Sequence, residues 1–141
     1  MNTQHGRSAV QQAFSLPVRV YFQDTDAGGV MYHASYLNFM ERARTEWLRA
    51  HGYSNAELLR EFGVVFVVRS LKLDYLKPAQ LDDVLEVTAQ IKDIGRSRIS
   101  LWQTLRRGAE VLTEAEVHLV CVSMDGFKPV GVPEVLRAQW K

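Results

Sequence analysis

The sequence has little cysteine, little excess charge of either sign and no long apolar run. Its single cysteine, Cys121, cannot form an internal disulfide. The thiol stands in the apolar stretch VHLVCVSM, which predicts a buried core residue rather than a catalytic one. The longest uninterrupted aliphatic and aromatic run, VVFVV at 64–68, is far shorter than the roughly 20 residues that a membrane-spanning helix needs. We therefore expect no membrane span.

The charged residues nearly balance, with 17 basic and 16 acidic side chains and a net charge of +1 at pH 7. Nucleic-acid-binding domains usually carry a basic excess, so that class is disfavoured. Residues 1–16 contain no apolar segment of the kind found in secretory signals, which predicts cytoplasmic residence. A structural metal site is also disfavoured, because no zinc-ligand spacing joins the four histidines, His5, His33, His51 and His118.

A chain of 141 residues fits one domain with a substantial core. The polar stretch 1–16 predicts a flexible N-terminal arm, and 17–141 is predicted to be a single domain. From 18 to 23, apolar and polar residues alternate, which predicts a short first strand. From Ala34 to Ala50, apolar residues recur every three or four positions, which predicts one long amphipathic helix. Its apolar stripe consists of Tyr36, Leu37, Met40, Ala43, Trp47 and Leu48.

After a shorter helix, capped by Ser54 and ended by Gly63, the remaining pattern predicts strands. They cover 64–76, 84–94, 96–107 and 110–124, and short Gly- or Pro-marked connections join them. Short connections imply antiparallel neighbours, so the fold class is α+β with a five-stranded antiparallel sheet. The apolar face of the long helix is too broad for one flat sheet. A curved sheet wrapped around the helix, or cover from a second subunit, would bury it.

The stretch FQDTDAGGVMYHASY, at 22–36, concentrates aspartates, glycines and a histidine between the first strand and the long helix. A calcium-binding EF-hand loop starting at Asp24 fails, because its fifth and twelfth places hold Gly28 and Ser35. The chain also has neither the Gly-x-Ser-x-Gly elbow of serine hydrolases nor a Gly-x-x-x-x-Gly-Lys phosphate loop. A calcium-binding loop, a serine hydrolase and a phosphate-binding loop are therefore disfavoured.

This stretch does provide a strand end, a glycine turn and a helix start. Gly28 and Gly29 permit a sharp turn and a close approach of ligand to the backbone. The unpaired N–H groups at the helix start, near His33, are suited to bind an oxyanion. A carboxylate at Asp26 could act on a carbonyl held there, which predicts acyl-transfer hydrolysis without serine, cysteine or metal. The alternative is structural, with Asp24, Thr25 and Asp26 merely capping the turn and helix.

Together with LDYLKPAQLDDVLEV and EAEVHLVCV, the motifs DTDAGGV, YHASY and ERARTE closely resemble those of YbgC-like acyl-CoA thioesterases. These enzymes form part of the 4-hydroxybenzoyl-CoA thioesterase family, and the resemblance extends from about Pro17 to Pro129. It implies a hotdog fold, in which an antiparallel sheet wraps one long helix. It also implies hydrolysis of acyl-CoA, homodimers or homotetramers, and active sites at the subunit boundary. No cofactor is expected, since coenzyme A is part of the substrate.

The resemblance also assigns site residues. The family's catalytic carboxylate falls on Asp26, and the helix-start N–H that polarises the thioester carbonyl falls on His33. Close relatives often carry Tyr at the position of Phe22, so a hydroxyl proposed to assist there is missing. The substrate-binding residues expected from the motif and from the basic turn after the third strand are Gly28, Gly29, Val30, Tyr32, Arg96, Ser97 and Arg98. That basic turn would contact the coenzyme A phosphates, although it also fits a solvated loop.

Two other functions remain open at this stage. One is a binding or scaffold protein with little turnover, whose partner is an acyl carrier protein or the Tol-Pal envelope system with which bacterial relatives are associated. The other is a hotdog dehydratase, which fits less well because its catalytic histidine precedes its acidic partner. Here Asp26 precedes His33.

Overall fold

The computed structural model describes residues 13–140, which form five strands and three helices. A short 3₁₀ turn lies at Phe22–Asp24, between the first strand and the first helix. No helix within residues 13–140 is long and apolar enough to cross a lipid bilayer. In chain order the elements are β1 Phe14–Arg19, α1 His33–Ala50, α2 Asn55–Phe62, β2 Val64–Tyr75, β3 Val84–Ile94, β4 Arg98–Arg107, β5 Glu110–Ser123 and α3 Glu134–Trp140.

The strands form one sheet in the order β1-β3-β4-β5-β2, with every neighbouring pair antiparallel. The predicted α+β class and the five-stranded antiparallel sheet with one dominant helix are therefore confirmed. β1 and β2 are the two edges of the sheet. A register shift between Val68 and Ser70 interrupts the pairing of β2 with β5, which is typical of a bulge on an edge strand.

The helix α1 packs mainly across β1, β3 and β4, and it meets β2 through side chains such as His33 and Tyr36, which pack on Tyr75. Most of its predicted apolar stripe is buried, but Leu37 is 43% exposed and Phe39, not predicted, is buried. The physical reason is the position of the helix on the sheet. Leu37 is four residues from both His33 and Glu41 and so shares their side of the helix, and those two residues line cavities bordered by β2. The apolar residues of β3 face the core as predicted, with Leu85, Val87 and Ala89 fully buried.

The first strand differs from the prediction. It covers Phe14–Arg19 instead of 18–23, and it pairs with β3 from Phe14↔Ala89 to Arg19↔Val84. An edge strand tolerates Pro17 because only one side of its backbone must pair. Residues 14–16 therefore belong to the sheet and not to the predicted flexible arm, whose residues 1–12 lie outside the described part of the chain.

The short helix α2 follows the local signals in its sequence. The Ser54 side chain accepts the N–H of Glu57 at 3.1 Å, and the Glu57 carboxylate accepts the N–H of Ser54 at 2.8 Å. At the other end, Gly63 takes the left-handed conformation at φ 67° and terminates the helix. Both predicted caps are confirmed.

Candidate active site

The 3₁₀ turn after β1 is held by Asp24. Its carboxylate accepts the N–H of Tyr21 at 2.9 Å, and its backbone N–H donates to the carbonyl of Tyr21 at 2.9 Å. The carbonyl of Asp24 in turn accepts the N–H of Tyr32, just before α1, at 3.2 Å. Asp24 therefore has the structural capping role that the sequence suggested for it.

Asp26 occupies a tighter turn directly before the two glycines. Its Oδ1 accepts the N–H of Gly28 at 2.8 Å, and its carbonyl accepts the N–H of Gly29 at 3.1 Å. Gly29 has φ +81°, a conformation that favours glycine, and a Cβ at Gly28 would lie only 3.3 Å from Asp26 Oδ1. The N–H of Asp26 donates to the carbonyl of Val30 at 2.9 Å and closes the turn. Within residues 13–140, no donor contacts Oδ2, so one carboxylate oxygen is available to a ligand.

The helix α1 begins at His33 with no side-chain cap. The preceding residue, Tyr32, instead directs its hydroxyl to the carbonyl of Gln23 at 2.9 Å. The N–H of His33 has no acceptor among residues 13–140. An unpaired N–H at the positive end of an 18-residue helix is a suitable donor to a partial negative charge.

An aromatic cluster supports this helix start. The ring of Tyr75, at the end of β2, stacks on the His33 imidazole with centroids 4.0 Å apart. Tyr36 packs edge-on against Tyr75 at 5.0 Å, and its hydroxyl accepts the N–H of Ala79 at 2.9 Å. Desolvation, with a smaller contribution from Tyr36, raises the pKa of Tyr75, so its phenol stays protonated at neutral pH. The cluster joins α1 to the segment after β2.

A cavity of about 500 Å³ opens between the Asp26 turn, the start of α1 and the end of β2. Four predicted site residues line it, namely Asp26, Val30, Tyr32 and His33. Gly28 and Gly29 shape the turn behind the cavity without lining it. The cavity wall also contains residues that sequence reasoning missed, Met31, Tyr36, Tyr75, Leu76, Lys77 and Pro78. The available signal was LDYLKP, where a strand ends at a proline inside a stretch that carries the family resemblance.

The predicted basic turn lies elsewhere in the protomer. Arg96, Ser97 and Arg98 follow the far end of β3, eleven residues along the strand from the end that meets the Asp26 loop. The carbonyl of Arg96 accepts the N–H of Val132 at 2.9 Å, which ties this turn to the segment before α3. One protomer therefore does not bring the basic turn and the Asp26 cavity together.

Phe22, the departure from the resembled pattern, does not line the cavity and is 81% exposed. The same part of the chain, residues 13–140, contains no group of three or more His, Cys, Asp and Glu side chains that could hold a metal ion. Two of the residues that line the cavity thus offer groups without a partner among residues 13–140, a carboxylate oxygen of Asp26 and the N–H of His33 at the helix start. A carbonyl compound held between those two groups could be polarised and hydrolysed.

The chain is similar to several known proteins. The model of the thioesterase-like superfamily matches residues 20–140. The acyl-CoA thioesterase YbgC of Haemophilus influenzae is 44% identical over 129 residues, which cover 92% of this chain and 95% of that protein. The acyl-CoA thioester hydrolase YbgC of Escherichia coli O6:H1 is 46% identical over 129 residues, which cover 91% and 96%.

Solved structures show the same fold. The crystal structure of a probable thioesterase from Bartonella henselae superimposes with a TM-score of 0.83 at 34% identity. The match covers 86% of this chain and all of the Bartonella chain. The hotdog arrangement implied by the sequence resemblance is therefore confirmed.

Proposed function

Because this chain belongs to the thioesterase-like superfamily, we propose that it hydrolyses an acyl-CoA thioester to the free acid and coenzyme A. It is a thioester hydrolase, as its curated relatives are named. In the proposed reaction, Asp26 is the general base or nucleophile and the N–H of His33 binds the carbonyl oxygen. No cofactor is proposed, since coenzyme A is part of the substrate.

The observation that carries the proposal is the shared cavity of Asp26 and His33. The thioester carbonyl oxygen accepts the N–H of His33 while Asp26 takes a proton from water that attacks the carbonyl carbon. The C–S bond then breaks, and Asp26 returns the proton to the leaving sulfur. Attack by the carboxylate itself, followed by hydrolysis of the resulting anhydride, uses the same two groups.

The Asp26→Asn variant tests this assignment on a panel of acyl-CoA substrates. We expect kcat to fall roughly 100- to 10,000-fold, because the amide can neither take the proton nor attack the carbonyl. Release of the coenzyme A thiol measures the rate. The matched control is Asp24→Asn, whose side chain caps the neighbouring turn and does not line the cavity. An Asp26→Asn enzyme that folds normally and turns over near the wild-type rate would show that the mechanism is wrong.

We further propose that the active form is a homo-oligomer. β2 is an edge strand of 12 residues whose outer side has no partner strand among residues 13–140. Tyr75 at its end lies beside His33, whereas Val67 near its start is level with Arg98 across β5. Antiparallel pairing of β2 with its copy would therefore bring the basic turn of one subunit to the Asp26 end of the other. The proposed phosphate contacts of Arg96, Ser97 and Arg98 depend on that arrangement.

Gly28, Gly29, Val30 and Tyr32 complete the proposed substrate-binding set, the glycines through the backbone and the other two as cavity walls. An acyl carrier protein is the proposed alternative carrier of the acyl group, and the cytoplasm is the proposed location. A scaffold with little turnover for the Tol-Pal system is disfavoured, since both curated relatives are named for acyl-CoA hydrolysis.

A further inference from the structure

A second cavity, of about 290 Å³, lies between the later half of α1 and the first half of β2. Apolar side chains form most of its wall, among them Trp47, Leu48, Phe66 and Val68. Glu41 and Arg44 are the charged residues in the lining. This cavity shares no lining residue with the Asp26 cavity.

The two cavities lie at opposite ends of the strip between α1 and β2, which we call the groove. His33, Leu37, Glu41, Arg44 and Leu48 follow one another at spacings of four, four, three and four residues, so they form one stripe along α1. β2 runs in the opposite direction beside that stripe, because its end lines the first cavity and its start lines the second. Exposed apolar side chains remain along this path, with Leu37 at 43% and Val68 at 47% exposure. An extended apolar group could thus follow α1 from one cavity to the other.

Arg44 stands at the far end of the groove, and Gln103 fixes its guanidinium. Arg44 Nη1 donates to Gln103 Oε1 at 3.0 Å. Gln103 is fully buried, and its amide nitrogen donates to the carbonyls of Met40 and Thr88 at 3.1 and 3.2 Å. The amide oxygen must therefore face the arginine. A buried glutamine held at three points is a rigid support for one edge of the guanidinium.

The charge of Arg44 is only partly balanced by its surroundings within residues 13–140. Burial lowers its pKa, and nearby Glu41 offsets this only in part. No salt bridge joins Arg44 to any carboxylate among residues 13–140. A half-buried cation whose hydrogen bond goes to a neutral amide is incompletely compensated, and a carboxylate would match the remaining donors of the guanidinium.

We propose that the groove binds the acyl group of the substrate and that Arg44 binds a carboxylate at the far end of that group. The inference rests on the proposed function and adds a substrate class, the ω-carboxyacyl thioesters. Arg44 follows His33 by eleven positions of helix, or roughly 16 Å along the axis. At roughly 1.3 Å per carbon, and with the arginine side chain directed back towards the helix start, an acyl chain of about eight to ten carbons fits.

The test compares decanoyl-CoA with its ω-carboxy counterpart of equal length. We expect wild-type kcat/KM to be about tenfold to a hundredfold higher for the ω-carboxy substrate, the effect expected of a charge-assisted hydrogen bond. The Arg44→Met variant should lose most of that ratio. Arg42→Met is the matched control, because Arg42 lies over the Phe39 ring and does not line the groove. It should keep the ratio.

The outcomes separate this inference from the proposed function. If wild-type enzyme hydrolyses both thioesters equally, the proposed function stands and the role of Arg44 is wrong. An Arg44→Met enzyme that loses the same factor on both substrates would also overturn it, and would indicate a structural partner for Arg44 in a second subunit. If neither thioester is hydrolysed but other acyl-CoA substrates are, the inference is wrong and the proposed function stands. If no acyl-CoA substrate is hydrolysed, the proposed function itself fails and the inference fails with it. If Arg44→Met does not fold, the ratio of wild-type kcat/KM for the two substrates still tests whether the groove prefers an ω-carboxyacyl group.

Discussion

Two aspartates separated by one residue have different surroundings in this protein. The Asp24 carboxylate accepts the N–H of Tyr21 and closes a turn, whereas Asp26 lines the cavity and one of its oxygens has no donor among residues 13–140. Both are the same residue type in the same motif. The difference in their proposed roles follows from the direction in which the backbone presents each side chain.

Tyr75 shows the same principle for an aromatic residue. Its ring lies against the His33 imidazole and against Tyr36 and, because burial raises its pKa, its phenol is protonated at neutral pH. A ring in this place can hold the start of α1 in position without taking part in proton transfer. Tyr75 is therefore a positioning residue in the proposed reaction.

The Tyr75→Ala variant should lower kcat at least tenfold, because small displacements of a carbonyl-binding group are costly to the rate. Tyr75→Phe keeps the stacked ring and should stay within about threefold of wild type if position alone matters. Acyl-CoA hydrolysis measured between pH 6 and 9 checks both variants. A Tyr75→Phe enzyme as slow as Tyr75→Ala, or one with a shifted pH profile, would assign the hydroxyl a role in the chemistry.

At the scale of elements, the starts of α1 and α2 have different roles, one in the proposed active site and one in stabilising the fold. α1 begins without a side-chain cap, and the N–H of its first residue, His33, has no acceptor among residues 13–140. α2 begins with a full capping box of Ser54 and Glu57, and it packs against β2. An uncapped start is expected where a ligand takes the place of the cap.

Ser54→Ala should reduce the free energy of unfolding by about 1 kcal/mol, because it removes the acceptor for the N–H of Glu57. Chemical denaturation at pH 7 measures the loss, and Ser70→Ala, at an exposed strand position, is the matched control. Hydrogen bonds from Ser54 lower the pKa of Glu57 below 4.5 in the folded state. The unfolded chain therefore binds a proton first as the pH falls, and the contribution of this carboxylate to stability is present at neutral pH and lost in acid.

If the Ser54–Glu57 cap contributes as much to the free energy of unfolding at pH 3 as at pH 7, this account of Glu57 is wrong. An effect of Ser54→Ala no larger than that of Ser70→Ala would contradict the role of the cap itself. Both comparisons use the same denaturation experiment. The effect of Glu57 protonation and the effect of the Ser54 hydroxyl are therefore distinguished without a further variant.

At the scale of the whole molecule, the sheet order leaves β1 and β2 as edges, and α1 covers only part of the inner face. The uncovered strip beside β2 carries both cavities and the exposed Val68. A long edge strand with apolar side chains is prone to pair with another strand. The proposed site and the proposed subunit contact therefore adjoin the same edge.

Val68→Asp should weaken self-association, because it places a charge beside the edge that would pair with a second copy. We expect the wild-type protein to sediment at twice or four times the chain mass of 16.1 kDa, and the variant to shift towards 16.1 kDa. Val135→Asp, at an exposed position of α3, is the matched control. Wild-type protein that sediments as a single chain at micromolar concentration would contradict the homo-oligomer.

The sequence alone determined the features whose causes are local. Periodicity of two or of 3.6 residues predicted four strands and the long helix almost to their ends, because burial imposes that period on each element. Ser54 and Gly63 predicted the bounds of α2 because their capping bonds span only a few residues. The Asp26 turn was recognisable for the same reason. The first strand was misplaced because its pairing with β3 outweighed the weak alternation of its own residues.

Only the tertiary structure decided which distant residues meet. Tyr75 stacks on His33 across 42 positions of the chain, and Arg44 contacts Gln103 across 59. Arg96 to Arg98, basic and close to a predicted turn, lie at the opposite end of the sheet from Asp26. These relations follow from the order in which the strands pair and from the strip of sheet that the helix leaves open. No local sequence pattern predicts the order of strand pairing or the open strip of sheet, because each depends on the balance of burial over the entire chain.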